Sequence, residues 1–330
     1  MKLIIQIPCF NEQNTLLTTL NDLPRHLEGI DEIEYLIIND GSLDETTKVA
    51  WDWGVNYIVN FTQNKGLAKG FMTGIDVCLE NGADIIVNTD ADNQYYGEDI
   101  EKLIKPILDG KADIVIGERP IDQNEDFSFL KKKLQHLGSW AVRQASNTSI
   151  PDAPSGFRAF SREAALKLNV VNDYTYTLET IVQAGREKIP IVSVPIRVNK
   201  ALRPSRLSRT MWDYVRTSML TILRAYLIYK PLKFFQFLSL FPTIPGLLVW
   251  IRFFYLYFRY GGAGHVQSLI IGCTLIIIGA ICLMIGILGD TITANRKILQ
   301  DTQYHTRKMY YDGVKQAALK RHEKCMIYYR

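Results

Sequence analysis

The chain has 330 residues, enough for one ordinary α/β domain with about a hundred residues left over. Its formal net charge of +4 is too small to imply a nucleic-acid partner. The five cysteines (Cys9, Cys78, Cys273, Cys282, Cys325) form no C-x-x-C pair, which argues against a disulfide framework and suits a reducing compartment.

The first apolar run, Lys2 to Pro8, predicts a strand that starts at once, with no signal peptide before it. Cys9-Phe10-Asn11-Glu12 follows, then a helical pattern at Leu16, Leu17, Leu20 and Leu23. A second strand over Glu34 to Ile38 runs into Asn39-Asp40-Gly41-Ser42-Leu43-Asp44, where Ser42 or Asp44 can cap the next helix. A third strand, Val55 to Val59, precedes Asn64-Lys65-Gly66-Leu67-Ala68-Lys69-Gly70. Lys65 and Lys69 at a Gly-rich helix start could meet phosphate, but helix packing is the favoured reading.

The fourth strand, Ile85 to Val87, ends on Asp90 and Asp92. Two carboxylates spaced i and i+2 at a strand end aim oxygen ligands at one crevice, as a hard divalent cation requires. Taken alone, the same tripeptide also reads as a polar turn between a strand and a helix. Strands alternating with helices predict a parallel sheet covered on both faces, with ligands bound outside the carboxyl ends of its strands.

Ile-Pro-Cys-Phe-Asn-Glu, Asn-Asp-Gly-Ser-Leu-Asp, Lys-Gly-Leu-Ala-Lys-Gly and Asp-Ala-Asp-Asn-Gln occur in that order. Together they resemble a family 2 glycosyltransferase of the inverting type with a Rossmann-like GT-A fold. Gly117-Glu118-Arg119 and Ser155 to Glu163 narrow the resemblance to the polyprenyl-phosphate branch, typified by dolichol-phosphate mannosyltransferase. It covers roughly residues 2 to 210. The resemblance implies that Pro8, Phe10 and Glu12 line a base and ribose pocket, with Asp40 accepting hydrogen bonds from the base. Helix capping is the competing role for Glu12 and Asp40. It also implies that Asp90 and Ala91 contact the nucleotide. Asp90, Asp92 and Gln94 would hold Mg²⁺ or Mn²⁺. Asn93 and Tyr95-Tyr96-Gly97 depart from the commonest family pattern, so the resemblance names no single donor, and UDP-sugar and GDP-sugar both stand.

The second half offers no strong carboxylate base. Glu179, in Tyr176-Thr177-Leu178-Glu179-Thr180, is the one tempting candidate and reads better as a helix residue. A phosphate acceptor is already ionised near neutral pH and needs cations instead of a base. By resemblance, Arg119 and the Ser205-Arg206 region are the best acceptor and diphosphate contacts, with Lys133 a weaker one; Lys131, Lys132 and Arg203 offer further cations, and solvated surface charge is the competing role for the Lys run.

Phe234 to Phe258 and Ser268 to Leu288 are long and apolar enough to span a bilayer, the first despite Pro242, Pro245 and Arg252. A short linker, Arg259 to Gln267, makes them a hairpin. Seven Lys/Arg against one acid from Arg203 to Lys233, and nine against three from Thr291 to Arg330, place both flanks on the cytoplasmic side. The resulting division is a GT-A domain over 1–203, interfacial amphipathic helices over 204–233, two transmembrane helices over 234–290, and a basic cytosolic helical tail over 291–330. The expected protein is a membrane-anchored enzyme that moves a sugar onto a polyprenyl phosphate at the cytoplasmic leaflet. It would have membrane lipids and possible homo-oligomers as partners. Two rivals stand beside it: a family 2 enzyme with a hydroxyl acceptor, and a non-catalytic nucleotide-sugar-binding scaffold.

Overall fold

The structure is a computed structural model that describes residues 1–120, 139–140, 142–143, 146, 148–170, 176–199, 223, 227, 230–261, 266–318 and 325–329. They divide into two compact units, Met1–Ser218 with Gln300–Arg330, and Met219–Leu299.

The first unit is built on an eight-stranded sheet. Its strands in chain order are β1 (Lys2–Cys9), β2 (Glu32–Asn39), β3 (Tyr57–Phe61), β4 (Ile85–Asn88), β5 (Ile114–Glu118), β6 (Arg158–Ser161), β7 (Ile191–Pro195) and β8 (Cys325–Tyr329). The spatial order is β7-β5-β6-β4-β1-β2-β3-β8. All pairings are parallel except those of β6, which runs antiparallel to both β4 and β5. The central strands are near-continuous Ile, Leu and Val because both faces are covered. The covering helices include α1 (Leu16–Asp22), α2 (Thr46–Trp53), α3 (Leu67–Glu80), α4 (Ile100–Leu108), α5 (Arg162–Lys167) and α6 (Thr177–Glu187). Leu3, Ile5, Ile7, Ile37, Val87 and Val115 sit in one buried cluster with Leu16, Leu20, Ile100 and Leu103 from the helices.

Several expected details shift. The third strand begins at Tyr57 rather than Val55, because Gly54 closes α2 in the left-handed region at φ 96° and Val55 N–H still bonds the Ala50 carbonyl. Leu17 lies on the outer face of α1 and is exposed. Asp44, not Ser42, serves the start of α2: its Oδ1 accepts from Thr46 N at 3.1 Å. Ser42 Oγ instead accepts from Asn11 N at 2.9 Å, tying the loop after β2 to the loop after β1.

The second unit contains α7 (Pro231–Tyr260) and the first part of α8 (Val266–Ala318). Both are long and apolar enough to cross a membrane. Pro242 and Pro245 lie within α7 without ending it. Ser239, Gly246 and Phe253 on α7, and Gly272, Gly279 and Gly286 on α8, are buried, so the contact repeats every seven residues on both helices. A seven-residue repeat is the seam of a left-handed antiparallel pair. The α8 glycines are the holes: a Cβ on Gly272 would lie 2.5 Å from Trp250, one on Gly286 2.8 Å from Phe235, and one on Gly279 would strike Thr243. Small residues let membrane helices approach closely where apolar burial against lipid gives no drive.

The expected helical tail after Asp290 is the second part of α8 as far as Ala318. Helix α8 runs unbroken for 53 residues, and the tail then supplies β8, an apolar and aromatic pentapeptide suited to a strand, parallel to β3. In the first unit the end of α8 packs on α3 and α5. Arg307 and Tyr311 both bond Asp76, while Tyr304 and Lys308 bond Glu163. Arg307 also donates to the Leu168 carbonyl at 2.8 Å.

Candidate active site

Registers place the site. Cys9 pairs with Asn39 and Gln6 with Asn88, so β1, β2 and β4 end along one edge of the sheet. Arg158, the first residue of β6, pairs with both Asn88 and Ile116, so β6 starts where β4 and β5 finish. Pro8, Asp40, Asp90, Arg119 and Gly156 therefore gather at the carboxyl edge, where open α/β sheets bind ligands.

At the β2 end, Asp40 is nearly buried, and its two oxygens accept from Lys65 N at 2.7 Å and Gly66 N at 3.0 Å. It thus caps α3, which follows it at a distance of one strand, rather than α2. Asp40 therefore occupies the N–H groups of Lys65 and Gly66 that lead into α3. Gly41, at φ 72°, is required: a Cβ there would lie 2.6 Å from the Gln63 carbonyl carbon. Glu12 is also buried; its Oε2 accepts from Thr15 Oγ1 at 2.8 Å and its N–H donates to Thr46 Oγ1 at 2.8 Å. Phe10 stands exposed beside the half-buried Pro8.

In the middle lies the Asp90–Gln94 loop. Asp90 is half-buried against Gly156: a Cβ on residue 156 would sit 3.0 Å from both of its carboxylate oxygens. Gly156 is itself fixed. Its N–H donates to Tyr95 Oη at 3.1 Å, and its carbonyl accepts from Asn88 Nδ2 at 2.9 Å. Asn88 Nδ2 also donates to Tyr176 Oη at 2.8 Å. Tyr176 stacks on Phe71 with centroids 3.9 Å apart, and Tyr95 on Phe157 at 4.8 Å. Burial first, and then the nearby Asp90 charge, push the hydroxyls of Tyr95 and Tyr176 well up, so both remain protonated around the carboxylate. Burial, followed by Glu12, Asp44 and Asp90, likewise raises the Cys9 thiol.

Asp92 is half-buried, and its Oδ1 accepts from Gln94 N at 3.3 Å. The loop is held from outside. Ala91 O accepts from Thr19 Oγ1 at 3.0 Å, Asn93 Nδ2 donates to Asp22 at 2.8 Å, and Asn199 bonds the carbonyls of Asn93 and Gln94. Asn93 sits at φ 56°, a left-handed position that asparagine tolerates. Among the described residues no three His, Cys, Asp or Glu side chains come together as a closed metal site. Two carboxylates and an amide on one loop, seated on a glycine that leaves room for them, fit a hard divalent cation that takes its other oxygens from substrate and water.

At the β5 end, Arg119 forms a forked pair with Asp152: Nε to Oδ2 at 2.7 Å and Nη2 to Oδ1 at 2.9 Å. Asp152 Oδ2 also accepts from the Arg119 backbone N at 3.2 Å. Asp152 is fully buried, while Arg119 keeps 18% of its side chain exposed. Glu179 lies in the first turn of α6 and is buried. Arg206, with Arg203, Ser205 and Lys131 to Lys133, lies outside the described residues. The partners that sequence reasoning missed are Asn88, Tyr95, Asp152, Tyr176 and Asn199. Only Asp152 had a signal, standing in Pro151-Asp152-Ala153-Pro154, where rigid turns flank a carboxylate.

Residues 4–168 match the family described as "Glycosyl transferase family 2". A UDP-N-acetylglucosamine–dolichyl-phosphate N-acetylglucosaminyltransferase of Methanococcus voltae is 31% identical over 58% of this chain and 83% of its own. An undecaprenyl-phosphate mannosyltransferase of Micrococcus luteus is 27% identical over 63% of this chain and 88% of its own. Among solved structures, glucosyl-3-phosphoglycerate synthase from Mycobacterium tuberculosis, with Mn²⁺ and UDP, superposes with a TM-score of 0.53 at 15% identity, covering 68% of this chain and 78% of that one. That likeness is one of fold, the GT-A arrangement expected for the first unit. With its match spanning half its length, the chain belongs to glycosyl transferase family 2.

Proposed function

We propose that this glycosyltransferase moves a sugar, with inversion, from a UDP- or GDP-sugar to a polyprenyl phosphate at the cytoplasmic face of a membrane. The relatives named above act on dolichyl and undecaprenyl phosphates, and two candidate membrane spans follow the catalytic unit. The observation that carries the reading is Arg119: a guanidinium held at the same strand edge as the Asp90–Asp92 loop, fixed by Asp152 and still partly open.

Each residue then has a task. Phe10 and Pro8 offer an apolar wall for the base, and Asp40 keeps a negative charge beside it because amides, not a cation, bind its oxygens. Asp90, Asp92 and Gln94 would hold Mg²⁺ or Mn²⁺. When bound, such an ion supplies Lewis-acid neutralisation of the departing diphosphate. Arg119 has three N–H donors left after pairing with Asp152, and these orient an acceptor phosphate. The phosphate oxygen attacks the anomeric carbon as the bond to the diphosphate breaks. The acceptor is ionised near neutral pH, so no side chain must take its proton. Glu179, buried in α6, is assigned to packing.

The test is a panel of UDP- and GDP-sugars given to the purified protein in detergent with undecaprenyl phosphate, dolichyl phosphate or the free alcohols, with and without EDTA. Formation of a polyprenyl-phosphate sugar that EDTA abolishes is expected. Efficient glycosylation of a free alcohol, or loss of turnover in a folded Glu179→Gln variant, would favour a hydroxyl acceptor. Absence of any transfer with every donor would leave the scaffold reading. Labelling of an introduced cysteine near residue 310 from the outer side would reverse the membrane orientation.

A further inference from the structure

Among the described residues, Arg158 is the largest side chain that is completely buried. Its Nε donates to Ser155 O at 2.8 Å, Nη2 to Ala153 O at 2.7 Å, and Nη1 to Thr177 O at 2.8 Å and Thr180 Oγ1 at 2.5 Å. The guanidinium also lies 5.7 Å from the centre of the Tyr176 ring. Every acceptor is neutral, and among the described residues no carboxylate lies within ion-pair distance of it. Burial pulls the guanidinium down to about 10, against the opposing pull of Tyr176 and then Asp152, so it stays charged at neutral pH. A buried cation satisfied only by neutral oxygens is expensive compared with an apolar residue of similar size. A staple for a turn does not need the charge.

The neighbourhood supplies a use for it. Ala153 and Ser155, whose carbonyls Arg158 holds, belong to the turn that ends in Gly156 and begins at Asp152. Asp152 neutralises Arg119, so the pair by itself would offer little to a phosphate. Arg158, bonded to the Ala153 carbonyl next to Asp152, adds a second guanidinium, so these three side chains taken by themselves, two arginines and one carboxylate, sum to one positive charge.

We propose that Arg158 is an electrostatic positioning residue for phosphate in the crevice: without touching it, Arg158 adds a positive charge beside the neutral Arg119–Asp152 pair and sets the turn that carries Asp152 and Gly156. This rests on the reading of the crevice as a site for a phosphate acceptor and a diphosphate donor. The shared chemistry is phosphate, and the two sources are separated by the probes.

The experiment uses the full chain in detergent. Farnesyl phosphate serves as the acceptor probe, and UDP and GDP with Mn²⁺ as donor probes. Affinities are measured by calorimetric titration and folding by thermal melting. A unit charge about 10 Å from a phosphate, at an effective dielectric of about 20, is worth roughly tenfold in affinity. Arg158→Gln should therefore weaken binding in at least one arm by about tenfold, and the arm affected identifies the phosphate concerned. Arg158→Lys, which keeps the charge but has lost the fork, should stay within about threefold of wild type. A purely structural staple predicts Lys as poor as Gln, and that result overturns the proposal. If Arg158→Gln does not fold, Arg158→Lys decides alone: a loss of about tenfold or more in the folded protein rejects the charge role. Wild-type protein that binds the nucleotides but ignores farnesyl phosphate would defeat the acceptor reading and leave this inference to be read from the donor arm.

Discussion

The crevice has two ends, each with a buried carboxylate, and the partners of the two differ. Asp40 is bound by the amides of Lys65 and Gly66, which are neutral, so it keeps its full charge for whatever enters beside it. Asp152 is bound by a guanidinium, so its charge is consumed in aiming Arg119. A carboxylate held by amides remains an acceptor for ligand, whereas one held by arginine serves as a mount for a cation. On the proposed function, the first end would take the donor groups of a base and the second a phosphate. The Asp90–Gln94 loop stands between them.

The largest effect belongs to that middle loop. Asp92→Asn should lower turnover by more than about a thousandfold, since an oxygen ligand and its charge are lost together. Normal turnover in that variant, or indifference of the wild type to EDTA, would remove the metal from the scheme. At the arginine end, Arg119→Ala should reduce transfer by about a hundredfold, the usual loss when one charged contact to reacting groups is removed. If Arg119→Ala instead raises only the KM for the nucleotide sugar, the two ends have been assigned the wrong way round. Gly156→Ala should reduce kcat by roughly ten- to a hundredfold with a near-normal melting temperature, because the added methyl displaces the Asp90 carboxylate by a fraction of an ångström. An unchanged kcat would show that Asp90 does not need this seat. At the amide end, Asp40→Asn should raise the KM for the donor by about tenfold and leave that for the acceptor unchanged, while losing about 1 kcal/mol of stability from the cap on α3. An equal effect on both substrates would erase the contrast between the ends.

The smallest effect is one of pH. Asp99 is buried and accepts from Arg197 N at 2.6 Å, from the Arg197 guanidinium, and from Lys102 at 2.9 Å. Burial alone would raise its carboxyl, but the Arg197 and Lys102 bonds outweigh it and the net shift is downward. A depressed carboxylate contributes stability that is fully present above its unfolded value of about 4 and is lost as pH falls through the lower folded one. The melting-temperature gap between wild type and Asp99→Asn should be constant from about pH 7 to pH 5 and shrink below about pH 4. A gap that widens on acidification would contradict the assignment.

Much of this was legible in the chain. Strands β1, β2, β4 and β5 announce themselves as short apolar runs ending on polar residues, and the Asp90–Gln94 loop follows directly from where one of them stops. Strands β6 and β7 did not. Arg158-Ala159-Phe160-Ser161 has no strong alternation and opens on a charged residue, and only the fold shows that this arginine is buried. The partners of Asp90 were equally hidden. Tyr176 and Asn88 are 88 residues apart, and no local pattern signals their contact. For Asp40, two roles were open, base recognition and capping. The structure adds that the capped helix is α3, which a reading limited to adjacent elements could not find.

The packing of Tyr304, Arg307, Lys308 and Tyr311 on Asp76 and Glu163 bears on how the protein is made. These residues leave the ribosome only after both apolar helices have been synthesised. The sheet from β1 to β7 can assemble as its own segments emerge, but the faces of α3 and α5 that receive this helix stay bare until residues 231 positions after Asp76 and 141 after Glu163 emerge. The two buried-to-surface carboxylates there are solvated in the interim, which keeps the uncovered face polar and soluble. Maturation thus has a natural order, in which the catalytic sheet folds first, the apolar pair is inserted next, and the last helical turns seal the domain from behind.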